Sequence, residues 1–317
     1  METRTVQSVG GGTVTVSLPK DWARRHGLTA GTEVALYTHA DGSVVVRSAA
    51  ADGAHLDAVE LDIDGANPVR AAAVVRAAHA AGFESVTLRG DVTDDHRRTV
   101  RDAAGGLPGA TVAGEGPEEV VVRTLLDAAD VSVRQSLDRG RFLATSSLER
   151  AAEGLDGDAV DADALRERAA QADRLRALCE RHARRSLVSF GEVDDLGVSR
   201  RGLADAAAAT TALSRAARAG ARLAAVSGVV DEPPAATAPL ARDAASLVDD
   251  AATAALAGGD GAGDALAGVH AARDDVASLR ERSVTGVALA GPLAVAVATG
   301  EDLARVALRA RVREAGR

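Results

Sequence analysis

The sequence predicts a multidomain α+β fold in three parts: a β-rich head at residues 1–50, a small α/β domain at 56–125 and a helical domain at 130–317. Three observations carry this reading. Apolar and polar residues alternate strictly from Thr13 to Leu18, the period of a half-buried strand. Strand-like and helix-like segments alternate between Ala58 and Val122. From Ser132 onward the apolar period is helical almost to the end.

In the head, Val14, Val16 and Leu18 fall on one face of a strand, with Thr13, Thr15 and Ser17 on the other. Arg4 to Val9 reads as its hairpin partner across Gly10-Gly11-Gly12. Pro19 stands where a helix can begin without a backbone donor and Gly27 where one can end, so residues 20–26 form a two-turn helix. Glu33 to Thr38 and Ser43 to Arg47 make a second hairpin around Asp41-Gly42, a strong turn dipeptide. A unit of about 47 residues without a disulfide buries little core alone, and dimerisation by strand exchange is the expected remedy.

Residues 3–47 resemble the swapped-hairpin domain of the SpoVT/AbrB and MazE type, in which two chains interleave hairpins into one DNA-binding barrel. The resemblance rests on the glycine turn, Ser17-Leu18-Pro19-Lys20, Arg24-Arg25-x-Gly27-Leu28 and Gly31-x-Glu33-Val34. It implies an AbrB-like barrel for the head, a homodimer built through it, and DNA contacts by Arg4, Gln7, Thr13, Lys20, Arg24 and Arg25. Thr13 departs from the pattern, since a basic residue often follows the turn glycine.

Charge points the same way. The chain carries 46 acidic against 37 basic residues, a net charge of -9. Residues 1–31 instead hold Arg4, Lys20, Arg24 and Arg25 against Glu2 and Asp21, a local balance of +2 that doubles in a dimer. A basic face on an acidic protein is the footprint of a polyanion site. Lys20 is the one lysine in the chain, a fact that functional retention and a GC-rich coding bias explain equally well. The acid excess, the scarcity of lysine and the 2% aromatic content predict a halophilic, cytoplasmic protein. Phosphate contacts weaken steeply with salt, so DNA binding in brine leans on base contacts, shape and dimerisation.

Cys179 alone rules out a disulfide framework and a cysteine zinc cluster, and the N-terminus lacks an apolar signal segment. The longest apolar run, Gly286 to Thr299, contains Pro292 and falls short of the ~20 residues of a membrane span, so no membrane insertion is expected.

After a polar linker at 48–55, the middle domain reads as a strand at Ala58 to Ile63 and a helix from Pro68 to Phe83 with Val69, Val74, Ala78 and Phe83 on its apolar face. A strand at Ser85 to Leu88, a helix at Thr93 to Ala104 and strands at Thr111 to Ala113 and Glu119 to Val122 follow. The apolar positions look like core, and no convergent polar cluster is visible. Helices are then expected near 132–155, 161–190, 199–226, 238–257, 262–282 and 284–315, a bundle of two sets of three.

Leu213 to Ala224, with Leu213-Ser214-Arg215-Ala216-Ala217-Arg218, and Ala169 to Leu175 resemble two signatures of the PhoU family of phosphate-signalling proteins; Arg273 to Leu279 and Gly300 to Ala304 are weaker echoes. Archaeal proteins that fuse an AbrB-type head, an α/β middle and a PhoU-like tail are similar in order over the whole chain. That resemblance implies regulation of phosphate uptake and a phosphate-signalling protein partner. PhoU-type bundles bind metal through carboxylates one helical turn apart, because hard cations need several converging oxygens. Here those positions are degenerate: Asp173 and Asp275 remain, while Ser214 and Arg218 replace acids. An Asp173–Arg218 ion pair is expected in place of a metal, and no cofactor.

The remaining candidates have plain readings. His182 lacks a second ligand at metal spacing and reads as a surface or capping histidine. Gly10-Gly11-Gly12 is not followed by the Gly-Lys-Ser/Thr of a phosphate loop, Gly258 to Gly268 reads as a flexible link, and Asp194-Asp195 and Asp249-Asp250 as solvated pairs. No nucleophile stands beside a base, so an enzyme is not expected. Three functions fit: a DNA-binding regulator with a signal-receiving helical domain, a PhoU-type signalling protein that uses its head only to dimerise, and an antitoxin. The roughly 270 residues after the head exceed the short disordered tail of an antitoxin.

Overall fold

The computed structural model describes residues 3–38, 43–48, 56–230, 232–257, 261–282 and 284–315. The chain divides into two compact units, Met1–Ala54 and His55–Arg317.

In the first unit, β1 (Gln7–Val9) and β2 (Thr13–Thr15) pair antiparallel, Gln7 opposite Thr15, across a turn in which Gly12 N donates to Gly10 O at 2.9 Å. The expected six-residue strands are three residues long. An uncovered two-stranded ribbon is marginal, and Pro19 has no N–H with which to prolong the pairing. The helix α1 (Lys20–Arg25) follows, its end fixed by Leu28 N donating to Ala23 O at 2.8 Å. β3 (Val34–Thr38) and β4 (Val44–Ser48) form the second hairpin, Val34 opposite Ser48. Its Asp41-Gly42 turn and most of the linker, residues 49–55, lie outside the described residues. The two hairpins are separate two-stranded sheets, so the head of a single chain is not a closed barrel.

The second unit opens with β5 (Ala58–Asp62), α2 (Pro68–Ala81), β6 (Ser85–Arg89), α3 (Asp94–Gly105), β7 (Ala110–Glu115) and β8 (Glu119–Thr124). The strands order as β5-β6-β8-β7; β5 and β6 run parallel and the other pairs antiparallel, as the α2 crossover requires of its flanking strands. Side chains set the helix starts: Asn67 accepts from Arg70 N at 2.9 Å, and Thr93 forms a capping box with His96. The core joins Val75 and Ala78 of α2 to Val86, Leu88, Val120 and Val122 of the sheet. Val69, expected on the apolar face, is exposed instead; Ala71, Ala72 and Val75 form the buried face.

The helices are α4 (Val133–Leu155), α5 (Ala162–Arg185), α6 (Gly191–Leu196), α7 (Arg200–Ser227), α8 (Thr237–Ala257), α9 (Ala262–Arg282) and α10 (Val284–Ala315). Ser132, Asp161 and Ser199 cap α4, α5 and α7 through their side-chain oxygens. Two sets of three, α4/α5/α7 and α8/α9/α10, join where α4 meets α8 and α7 meets α10. The helix expected over 161–190 stops at Arg185, and Gly191, read as punctuation, starts α6. Gly263 and Gly268 belong to α9, as the helix expected at 262–282 has them and against the reading of Gly258 to Gly268 as a flexible link; Gly268 lies against Leu247. By length and composition α10 is apolar enough to cross a membrane, beyond what the run ending at Thr299 implied. In this fold Leu289, Leu293, Val297 and Leu303 of α10 are buried in the helical core.

Alanine sets the spacing of this core. Leu143, Leu148, Leu213 and Leu223 pack among Ala144, Ala216, Ala217 and Ala224, so α4 and α7 approach closely. At Gly220 a Cβ would stand 2.6 Å from the Ser147 backbone carbonyl carbon.

α5 also holds the α/β domain. Arg181, 2% exposed, donates to the carbonyls of His79 and Phe83 at 2.8 and 2.9 Å, and Arg185 donates to that of Gly82 at 2.7 Å and to Glu84 at 3.2 Å. These carbonyls lie at and just past the C-terminal end of α2, where a cation also meets the negative end of the helix dipole; that of His79 accepts from Gly82 N as well, at 3.0 Å. Gly82 takes φ +104, and a Cβ there would meet the Arg185 side chain. Glu192 of α6 completes the junction, accepting from Arg185 Nε at 2.9 Å and pairing with His182 Nδ1. His182 is thus buried, correcting its reading as a surface residue, because α6 folds back over it. Burial raises the Glu192 pKa, but the bonds from His182 and Arg185 outweigh it and hold the carboxyl below its usual range.

This packing can be tested at two positions. Gly220→Ala gains helix propensity of ~1 kcal/mol, yet its methyl meets backbone that cannot step aside, so a net loss of roughly 1–2 kcal/mol is expected in denaturant unfolding. A more stable variant would contradict the close approach. His79, whose Nε2 bonds Pro108 O at 3.0 Å, is pushed by burial from 6.5 down to about 4, the Pro108 bond opposing and the Arg181 charge assisting. Between these values the unfolded chain binds a proton that the folded one refuses, so stability falls as pH drops from 6.5 to about 4, by up to about 3 kcal/mol. His79→Gln flattens that slope in a pH series of unfolding curves, and an unchanged slope would refute the assignment.

Candidate nucleic-acid interface

Three of the first unit's basic residues lie on one short helix, while Arg47 lies on β4. Lys20 opens α1 and Arg24 and Arg25 close it; Lys20 and Arg24, one turn apart, share a face. Gln7 on β1 faces Thr15, and Thr13 on β2 faces Val9. Arg4 precedes β1. Arg4, Gln7, Thr13, Lys20, Arg24 and Arg25 are all exposed.

Partners on α1 itself neutralise little of its charge. Arg24 lies 3.2 Å from Asp21, but with both side chains about four-fifths exposed the pair is worth ~0–1 kcal/mol and yields readily to a second anion. Arg25 Nε reaches only the backbone carbonyl of Asp21, at 3.4 Å. Trp22, half-buried, meets the ring of His26 at the end of the same helix, ring centroids 5.1 Å apart.

The same unit leaves its apolar side chains uncovered. Val14 is 70% exposed and Leu36 63%, and Val6, Val9, Val16 and Val44 are exposed as well. The strand face read as half-buried therefore has no layer over it in a single chain.

In the helical domain the structure brings together three of the four degenerate metal positions. Asp173 on α5 accepts from Arg218 Nε at 3.1 Å, pairs a second time with Arg218 Nη2, and takes the hydroxyl of buried Ser214. The guanidinium occupies the carboxylate that a cation would need. Asp275 is exposed on α9, in the other set of three helices. Among the described residues no three His, Cys, Asp or Glu side chains are grouped to hold a metal. Asp249, read as solvated, pairs with Arg141 at 2.8 Å. The Arg181, Arg185, His182 and Glu192 junction escaped sequence reasoning, although two arginines four residues apart on one helix were a visible signal.

Residues 7–52 match the family described as antidote-toxin recognition MazE, bacterial antitoxin. No curated protein and no solved structure matches the chain. The N-terminus therefore carries a MazE/AbrB-like domain, a type that binds DNA and dimerises, which points to a DNA-binding or antitoxin-type regulator.

Proposed function

We propose that this protein is a homodimeric, non-catalytic transcriptional regulator of the cytoplasm, with the MazE-like head on operator DNA and the helical domain receiving a signal tied to phosphate uptake. The observation that carries the reading is the exposed Lys20, Arg24 and Arg25 on α1, inside the segment that matches a DNA-binding antitoxin family. A domain used only to dimerise has no reason to concentrate positive charge on an acidic chain. The uncovered valines of both hairpins support the homodimer, since a second copy would bury them.

For the signal, the support is the resemblance of 169–175 and 213–224 to PhoU signatures and the two sets of three helices that carry them. A phosphate-signalling protein is then the partner of the helical domain. The acid excess supports a halophilic setting. The family description favours one second reading, an antitoxin that also represses its own promoter.

The test is fluorescence anisotropy at high potassium chloride, with fragments of the protein's own promoter, a phosphate-transport promoter and random DNA. Promoter binding at least tenfold tighter than random is expected. Arg24→Ala/Arg25→Ala weakens it by at least tenfold and lowers the slope of log K against log salt by roughly 0.9 for each phosphate that is no longer neutralised. Val14→Asp converts the dimer to monomer in sedimentation velocity. Equal, weak binding to every fragment, untouched by the double change, would sink the regulator reading. Preference for its own promoter alone would favour the antitoxin.

A further inference from the structure

A basin of about 730 Å³ opens between α5, α7 and α10, and its rim is arginine: Arg176 and Arg184 from α5, Arg200 and Arg215 from α7, Arg305 and Arg309 from α10. Six guanidiniums around one concavity are unexpected on a chain of net charge -9. Neighbouring carboxylates do not cancel them, because most are shared. Glu180 serves both Arg176 and Arg184, at 2.7 and 3.0 Å. Glu301 is divided between Arg305 and Arg273, and Asp205 between Arg309 and Arg313. Asp302 answers Arg215 at 3.3 Å. Arg200 pairs with no carboxylate among the described residues; its Nε donates to Ser186 O at 2.5 Å, its plane lies 4.1 Å over Phe190, and its Nη2 is shielded from solvent without a partner among them.

The floor differs from the rim. Ala204, Ala207, Ala208 and Ala212 of α7, with Val306 of α10, supply an apolar part of the same lining. Guanidiniums stay protonated at every physiological pH and bind phosphate oxygens two at a time, while a ring or sugar face suits small apolar side chains. The volume fits a small molecule, and clustered like charge in a concavity focuses the field that draws an anion in.

We infer that this basin is a binding site for a nucleoside polyphosphate, its phosphates on the arginine rim and its base on the alanine floor. The site is separate from the head, so DNA binding and ligand binding succeed or fail independently.

Isothermal titration calorimetry on the full chain with ATP, ADP, inorganic pyrophosphate and sulfate at matched ionic strength tests it. ATP binding in the micromolar range, tighter than pyrophosphate and far tighter than sulfate, is expected. Arg184→Gln/Arg305→Gln, which removes two exposed side chains and leaves the core alone, weakens ATP by at least tenfold. Arg150→Gln, an exposed arginine of α4 outside the basin, leaves it unchanged. ATP that binds no better than sulfate, or that Arg150→Gln weakens as much as the double change does, overturns the inference. So does a double variant that loses affinity for duplex DNA while ATP stays inert.

Discussion

A buried guanidinium ties the second unit together. Arg181 gives up water to sit between α5 and α2, and it remains a cation: burial, aided by the charge of Arg185, lowers its pKa only to about 10. Placing a charge there without partners would cost several kcal/mol, so the carbonyls of His79 and Phe83 must stay where they are. Those carbonyls exist as acceptors because α2 ends at Gly82, and α2 ends there because glycine takes a left-handed conformation. A single stop signal in the middle domain thus creates the acceptors by which the helical domain holds it.

Arg185 extends the grip and links it to α6. Its guanidinium bonds Gly82 O on one side and Glu192 on the other, and Glu192 in turn fixes His182. Removing Glu192 would take this partner from both Arg185 and His182, so the short helix α6 holds a counter-ion as well as packing Leu196 into a small core. α5 also carries Arg176, Glu180 and Arg184 to the basin, with Arg181 and Arg185 interleaved among them in sequence. One helix therefore supplies both the wall of the charged basin and the clamp on the α/β domain, a geometry in which neutralising the wall and shifting the clamp involve the same rigid rod.

What could be read from the sequence was what local rules decide. Strand alternation and the order of six long helices both follow from neighbours in the chain. The Asp173–Arg218 pair was readable too, since two aligned helical signatures placed opposite charges at matching turns. What escaped depended on distant partners. His182 is an ordinary polar residue until Glu192 returns from ten positions downstream, and Val69 looks like core until α2 turns its alanines inward. Gly263 and Gly268 fall under two readings, a helix at 262–282 and a flexible link at 258–268; the helix is the one observed, with Gly268 packed against Leu247 of α8. Strand length in the head failed for the opposite reason, since alternation measures the face a strand offers and not whether anything covers it.

That last failure bears on function. Val6, Val14, Val16 and Leu36 present apolar area to water, while Lys20, Arg24 and Arg25 present charge that Asp21 scarcely offsets. Each is costly or idle in an isolated chain, and one assembly resolves both. In the proposed homodimer a second copy would cover the valines, lengthen the ribbons by giving them a layer to pack on, and bring two basic helices onto one body. Doubling the charge matters most at high salt, where each phosphate contact is weak and affinity depends on how many are made at once. The proposed homodimer thus accounts for both the short strands and the exposed valines of the single chain.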